Sequence, residues 1–345
     1  MSDSSSINYA SDNAAPVAPE IMKALTVANT GPAMGYGNDD LTRRVEDRLK
    51  ELFECDLRAF PVATGTAANA LALSVMVPPY GSVYAHKLGH IELDECGAPE
   101  FYTGGAKIVL MEGENGKLVP SDLDQTLAKA GVGVVHHVQP AAVSLTQVTE
   151  CGTIYTPDEV AALGDVAKHH NLGLHMDGAR FANAVAALDC APADVTWRAG
   201  VDILSFGATK NGAMAVEAVV FFDTAKAQEF EFRRKRGAHL FSKMRYLSAQ
   251  LDAYLKEDLW LKLAAAANAK AEKLATEITA IEGASLAYPV EANMIFARFP
   301  AETLTRLAAS NILHYPNGEG EVRLVCSWNT SDADISALLD ILHKV

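Results

Sequence analysis

The chain has 345 residues, 49% of them hydrophobic, and a formal net charge of −14. That length and apolar content suffice for a large buried core divided between one large and one smaller domain, while the negative charge excludes nucleic acid and anionic membrane surfaces, which would repel it. Five cysteines, at 55, 96, 151, 190 and 326, are odd in number and far apart, unlike a zinc site or a disulfide scaffold; they read as reduced cytoplasmic thiols, and no metal is expected.

The start, Met1 to Ser6, is acidic and polar where a signal peptide is basic and then apolar, and no apolar run reaches membrane-spanning length, so a soluble, unexported protein is expected. Helical periodicity predicts helices over 41–53 and 66–75, the second following the turn residues Ala63-Thr64-Gly65. Short β-type runs follow at 81–85, 107–111, 133–138, 142–145, 173–176, 203–206 and 216–222, with helices at 157–169 and 180–188 among them. Pro157 stands at the first position of its helix, where a missing amide hydrogen costs little. Strands alternating with helices predict an α/β fold with a mostly parallel sheet covered on both faces. From about residue 225 the pattern changes to helices at 225–236 and 243–281, the latter broken near Glu257-Asp258. The remainder reads as strands at 285–288, 294–299 and 322–327 and helices at 302–310 and 332–343, a small α+β unit. Arg233-Arg234-Lys235-Arg236 is too short for a nucleic-acid face and reads as a subunit contact or an anion site.

Two strand ends carry the chemistry. Leu204-Ser205-Phe206-Gly207-Ala208-Thr209-Lys210-Asn211-Gly212 delivers a lysine into a loop of small residues, where partial desolvation lowers an amine's pKa and frees it to attack a carbonyl. Gly173-Leu174-His175-Met176-Asp177-Gly178-Ala179-Arg180 ends 33 residues earlier in an acid and a base. Alone, Lys210 reads as a surface charge and Asp177 as a turn residue. Together they suit pyridoxal 5'-phosphate, with Asp177 on the protonated ring nitrogen and Lys210 on the aldehyde.

With these segments, Asn8 to Asn13, Ala63 to Asn69, His90 to Gly97 and Ser242-Lys243-Met244-Arg245 make the chain resemble the threonine aldolases, of the aspartate-aminotransferase-like pyridoxal-phosphate fold, over nearly its whole length. The resemblance implies a large cofactor-binding α/β domain with an N-terminal arm over 1–253 and a small C-terminal α+β domain over 254–345. It places Gly65 and Thr66 at the phosphate, where a helix N-terminus suits an anion; a plain helix cap by Thr64 or Thr66 reads equally well from the residues alone. Thr209 can add a hydroxyl there, and Arg245 reaches the phosphate from a neighbouring subunit of a homodimer or homotetramer. His90 matches the histidine stacked on the ring, with His86 behind it; on its own residues His90 reads as a structural histidine.

Arg180 and Arg323 are the candidates for the substrate carboxylate, since guanidinium binds it in bidentate fashion. Ser11 matches the family's serine at that carboxylate, and Tyr36 the tyrosine that lines the site from the neighbouring chain. Catalysis is thus expected of Lys210, His90 and Asp177, on a β-hydroxy-α-amino acid that is cleaved to glycine and an aldehyde. The chain departs from the family at Ser144 to Glu150, where a histidine that helps the substrate hydroxyl is replaced by Thr149; His136 or His137 could supply an imidazole instead. A β-eliminating lyase, an aminotransferase and a non-catalytic cofactor-binding protein remain alternatives on the same scaffold.

Overall fold

A computed structural model describes residues 6–343; the first five residues of the polar start lie outside the described residues. Strands are β1 (Ile7–Asn8), β2 (Arg58–Val62), β3 (Gly81–His86), β4 (Lys107–Met111), β5 (Gln139–Thr146), β6 (Gly173–Gly178), β7 (Ile203–Gly207), β8 (Glu217–Phe221), β9 (Ser285–Leu286), β10 (Met294–Arg298), β11 (Ile312–Leu313), β12 (Tyr315–Pro316) and β13 (Glu321–Val325). Seven form the central sheet in the order β2-β8-β7-β6-β5-β3-β4. Pairing is parallel from β4 through β7 and antiparallel at β7·β8 and β8·β2. The mostly parallel sheet is therefore as expected. Its middle strands are buried at nearly every residue, because helices cover both faces.

Elements beyond those expected include an edge strand and two helices that begin on proline. The edge strand β2 contains Pro61, which lacks a ladder donor and so argues against a strand except at an edge. Helices Pro19–Ala28 and Pro120–Ala128 each begin on a proline that holds the first helical position. The strand expected over 133–138 does not form. Gly131 and Gly133 take φ of +77° and +79°, the segment runs as turns, and Val135 is exposed; the strand starts at Gln139, whose side chain accepts from Gly133 N and donates to His137 O. The long helical stretch after 243 resolves into Arg245–Leu255 and Leu259–Thr279. They are separated where Glu257 and Asp258 take positive φ.

The four-stranded sheet β12-β13-β10-β9 is antiparallel throughout. It packs with helix Leu259–Thr279 and the closing helix Asp332–His343 around Ile295, Leu324 and Leu338. The N-terminal arm joins this unit: β1 pairs with β11, and Tyr9 is buried in the same cluster. Beneath the carboxyl ends of β6 and β7 lies an aromatic cluster of Phe53, Phe181, Phe206, Tyr254 and Trp260, which gives the loops after those strands a rigid floor. No helix among the described residues is long and apolar enough to cross a membrane.

Candidate active site

Lys210 sits in the single turn Thr209–Asn211 that follows β7. The neighbouring Asn211 donates from Nδ2 to Tyr254 Oη and to Trp260 O at 2.7 and 2.8 Å, pinning the turn to the aromatic floor. Gly207 is required where β7 ends, since a Cβ there would lie 2.4 Å from Ala179 O. That close approach sets the ends of β6 and β7 side by side. Burial, and then the Arg180 guanidinium, push the Lys210 amine below its ordinary pKa. Under the loop, Glu217 Oε2 accepts from Ala208 N at 2.6 Å, and burial pushes its pKa up to about 7.

Asp177, near the end of β6, is buried with both oxygens held: Oδ1 accepts from Ala179 N at 2.9 Å and Oδ2 from Asn69 Nδ2 at 2.7 Å. Asn69 Nδ2 also donates to Glu95 Oε1 at 2.9 Å, and Glu95 Oε1 in turn lies 2.8 Å from His90 Nδ1. That hydrogen bond to Glu95 raises the His90 pKa and fixes the ring, leaving Nε2 free. His90, Glu95 and Asp177 place a ligand atom each within 4.8 Å of one another, but Asn69 and the imidazole already join them as one hydrogen-bonded chain.

Lys210, Asp177, His90, Asn69, Gly65, Arg180, Thr146 and Glu150 line one inner pocket of about 60 Å³. His90, Glu150, Arg180 and Lys210 also border an outer cleft of about 630 Å³, reached by Ser11, Arg323, Tyr288 and Tyr315; the two are one continuous recess at the carboxyl ends of the strands, between the central and small sheets. Gly65 opens the helix Gly65–Met76, which Thr64 caps by accepting from Ala67 N, so the cap expected of Thr64 or Thr66 falls to Thr64. No atom lies within 4 Å of where a Gly65 Cβ would stand, and the helix's first amides are open to an anion.

Arg180 donates from Nε and Nη2 to the two oxygens of Asp12 at 2.7 and 2.9 Å. Burial would raise the Asp12 pKa, but the Arg180 guanidinium outweighs it and holds the carboxyl below its usual range. Asn293 Nδ2 also donates to Asp12. Arg323 is steadied by donation to Ala10 O and by the Tyr315 ring at 5.0 Å, with a buried Nε that lacks a partner. Ser11 Oγ accepts from Asn13 N.

Other expected residues lie elsewhere in this one chain. Arg245 donates to Gly31 O at 2.7 Å, and Tyr36 lies half exposed with Lys235 Nζ 5.1 Å from its ring centre; neither lines the recess. The Thr209 hydroxyl is occupied by both backbone groups of Val216, and Thr66 does not border the pocket. His86 faces Gly113 O. His136 and His137 sit on the exposed turn before β5, and Thr149 Oγ1 is enclosed against Thr153 and Asn115 O. The basic run divides around its helix, with Arg233 on Glu229 and Arg234 buried over Phe60.

Asp12, Asn69, Glu95 and Glu150 also belong to the site, although the sequence does not single them out. Asn69 lies one helical turn after Gly65 on the same face, and that spacing was the available signal; the others are joined by contacts that no local pattern carries.

Residues 8–300 match the family model described as beta-eliminating lyase. A low specificity L-threonine aldolase of Pseudomonas aeruginosa is 43% identical over 338 residues, covering 98% of this chain and 96% of its own. Another, from Pseudomonas sp., is 42% identical over 100% of this chain and 99% of its own. Among solved structures, a threonine aldolase of Leishmania major superposes with a TM-score of 0.91 at 29% identity, over 97% of this chain and 98% of that one.

Proposed function

The chain belongs to the beta-eliminating lyase family, and from that premise we propose that it is a pyridoxal-phosphate-dependent aldolase. It cleaves L-threonine, L-allo-threonine and related β-hydroxy-α-amino acids to glycine and an aldehyde. The observation that carries this reading is one pocket holding a desolvated lysine and a doubly hydrogen-bonded aspartate, in a chain alike over its length to low specificity L-threonine aldolases. The pocket residues fit the cofactor: a buried carboxylate for a ring nitrogen, an amine of lowered pKa for an aldehyde, and an open helix N-terminus for a phosphate. When bound, pyridoxal phosphate supplies an electron-withdrawing ring that stabilises negative charge at an amino acid's α-carbon.

The chain's own residues divide the remaining work. Asp177, oriented by Asn69 and Ala179 N, would hold the ring nitrogen, and the Lys210 amine would hold the aldehyde. His90, oriented by Glu95, would contact the ring. Arg323 and Ser11, with the edge of Arg180 not spent on Asp12, would bind the substrate carboxylate and so set which bond to its α-carbon is presented for cleavage. The acidic, cysteine-reduced chain acts in the cytoplasm.

An aldehyde-release assay with L-threonine, L-allo-threonine, their D forms and β-phenylserine, run beside pyruvate release from serine, tests the reading. Aldehyde and glycine from the L substrates are expected. Pyruvate and ammonia in place of aldehyde would make the chain a β-eliminating enzyme instead.

We further propose that each site is completed by a neighbouring subunit, through Arg245 at the phosphate and Tyr36 at the substrate. Both lie outside the chain's own recess, on one surface formed where Tyr36 N donates to Ser242 O. Inactive Lys210→Ala and Arg245→Ala chains, mixed and allowed to exchange subunits, are then expected to regain part of the activity, because some hybrid sites carry both wild-type contributions. Subunit exchange verified by mass, with no activity regained although Arg245→Ala alone is impaired, would put Arg245 in its own chain's site.

A further inference from the structure

Cleavage between Cα and Cβ of a β-hydroxy amino acid needs a group to take the hydroxyl proton as the bond breaks. Thr149, His136 and His137 are not placed for it: Thr149 is enclosed by Thr153 and Asn115, and His136 and His137 lie on an exposed turn and line neither the inner pocket nor the outer cleft. Of the ionisable side chains in the inner pocket, Asp177, Arg180 and Lys210 already have partners or assigned work. His90 and Glu150 remain, and His90 is tied through Nδ1 to Glu95.

Glu150 borders both the inner pocket and the outer cleft. Its Oε1 accepts from His90 N and from Thr146 Oγ1, each at 2.9 Å, and these two bonds fix the direction of the carboxyl. Oε2, shielded from bulk water, has no hydrogen-bond partner. A polar atom left so is costly unless a ligand completes it. The groups around it are Asp177 from β6, His90 from the helix His90–Leu93, Arg180 and Lys210 across the pocket, and Cys151 and Tyr155 from its own loop. Burial, and then the Asp177 charge, push the Glu150 pKa up to about 7, so acid and conjugate base are both present near neutrality.

We propose that Glu150 is the general base of the cleavage, its unpartnered oxygen taking the proton of the substrate's β-hydroxyl. The electron pair of the O–H bond becomes the second bond of the aldehyde carbonyl, the Cα–Cβ bond breaks, and its pair passes to the α-carbon. The α-carbon then takes up one proton, so glycine and aldehyde leave with no oxidant, reductant or water consumed. This assignment rests on the aldolase reading above.

The test is Glu150→Gln in the holoenzyme. Glutamine keeps an oxygen for His90 N and the Thr146 hydroxyl and loses only the capacity to accept the proton, so a structural role survives the change while a base role does not. The expected result is a fall of about 10²–10⁴-fold in kcat/KM for L-threonine cleavage. The wild-type rise in rate with pH through neutrality, as Glu150 ionises, should vanish in the variant. Glycine binding by spectral titration, and exchange of the glycine α-hydrogen with solvent deuterium, should stay within about threefold. A variant that cleaves L-threonine within about threefold of an active wild type overturns the proposal and leaves the aldolase reading standing. Loss of glycine binding along with cleavage marks the carboxyl as structural and overturns it too. Absence of aldehyde from the wild type itself removes the aldolase reading, and this assignment with it.

Discussion

Replacing Lys210 by alanine is expected to abolish turnover, lowering kcat by about 10⁴-fold or more, since a residue that forms and breaks a covalent bond in each cycle has no substitute in the recess. The other cation lining the inner pocket, Arg180, is engaged by two hydrogen bonds to Asp12. The fold should persist. The turn is held by Asn211 and the aromatic floor rather than by the lysine, and removing a partly desolvated amine relieves a burial cost. Unfolding midpoints close to wild type, together with lost aldehyde release, are therefore predicted. A variant that still turns over L-threonine at a rate near wild type would show that another amine does the work.

The second large effect is expected of Asp177→Asn. The shape is kept while the charge facing the ring nitrogen is removed, and that charge acts where electron density builds up during bond cleavage, so activity should fall by at least about 10²–10³-fold. The amide oxygen can still accept from Ala179 N, and Asn69 stays anchored by its donation to Glu95. Loss of activity with cofactor saturated and the fold intact is the predicted outcome, read by aldehyde release and by the absorption of the bound cofactor. Near-normal cleavage by the saturated variant would remove Asp177 from the electron-withdrawing role.

How much of this could be read in advance follows from which contacts are local. Lys210 and Asp177 were legible because each ends a β-type run within a few residues, and the parallel sheet then sets those ends side by side. The helix beginning at Gly65 was legible from its turn residues. The side chains that orient the reactive ones were not: Arg180 pairs with Asp12 across 168 positions, Asn69 with Asp177 across 108, and Glu150 with His90 across 60. Residue type and spacing do not encode such pairs, which exist only once the arm, sheet and loops have packed. The failed strand at 133–138 has the opposite cause. Its valines have β propensity, but glycines at positive φ turn the backbone, and local conformation overrode composition. Arg245 and Tyr36 mark the limit of a single chain, since the recess they are proposed to complete belongs to a neighbour.

The identity of the lysine that carries the cofactor decides where the active site lies. Purified protein loaded with pyridoxal phosphate should be yellow, absorbing at about 410–430 nm. Borohydride should bleach that band and fix the cofactor irreversibly to one peptide. Digestion and mass mapping are predicted to find the added mass on Lys210 alone. The same mass on any other lysine, with Lys210 unmodified, would contradict the site built here from the ends of β6 and β7.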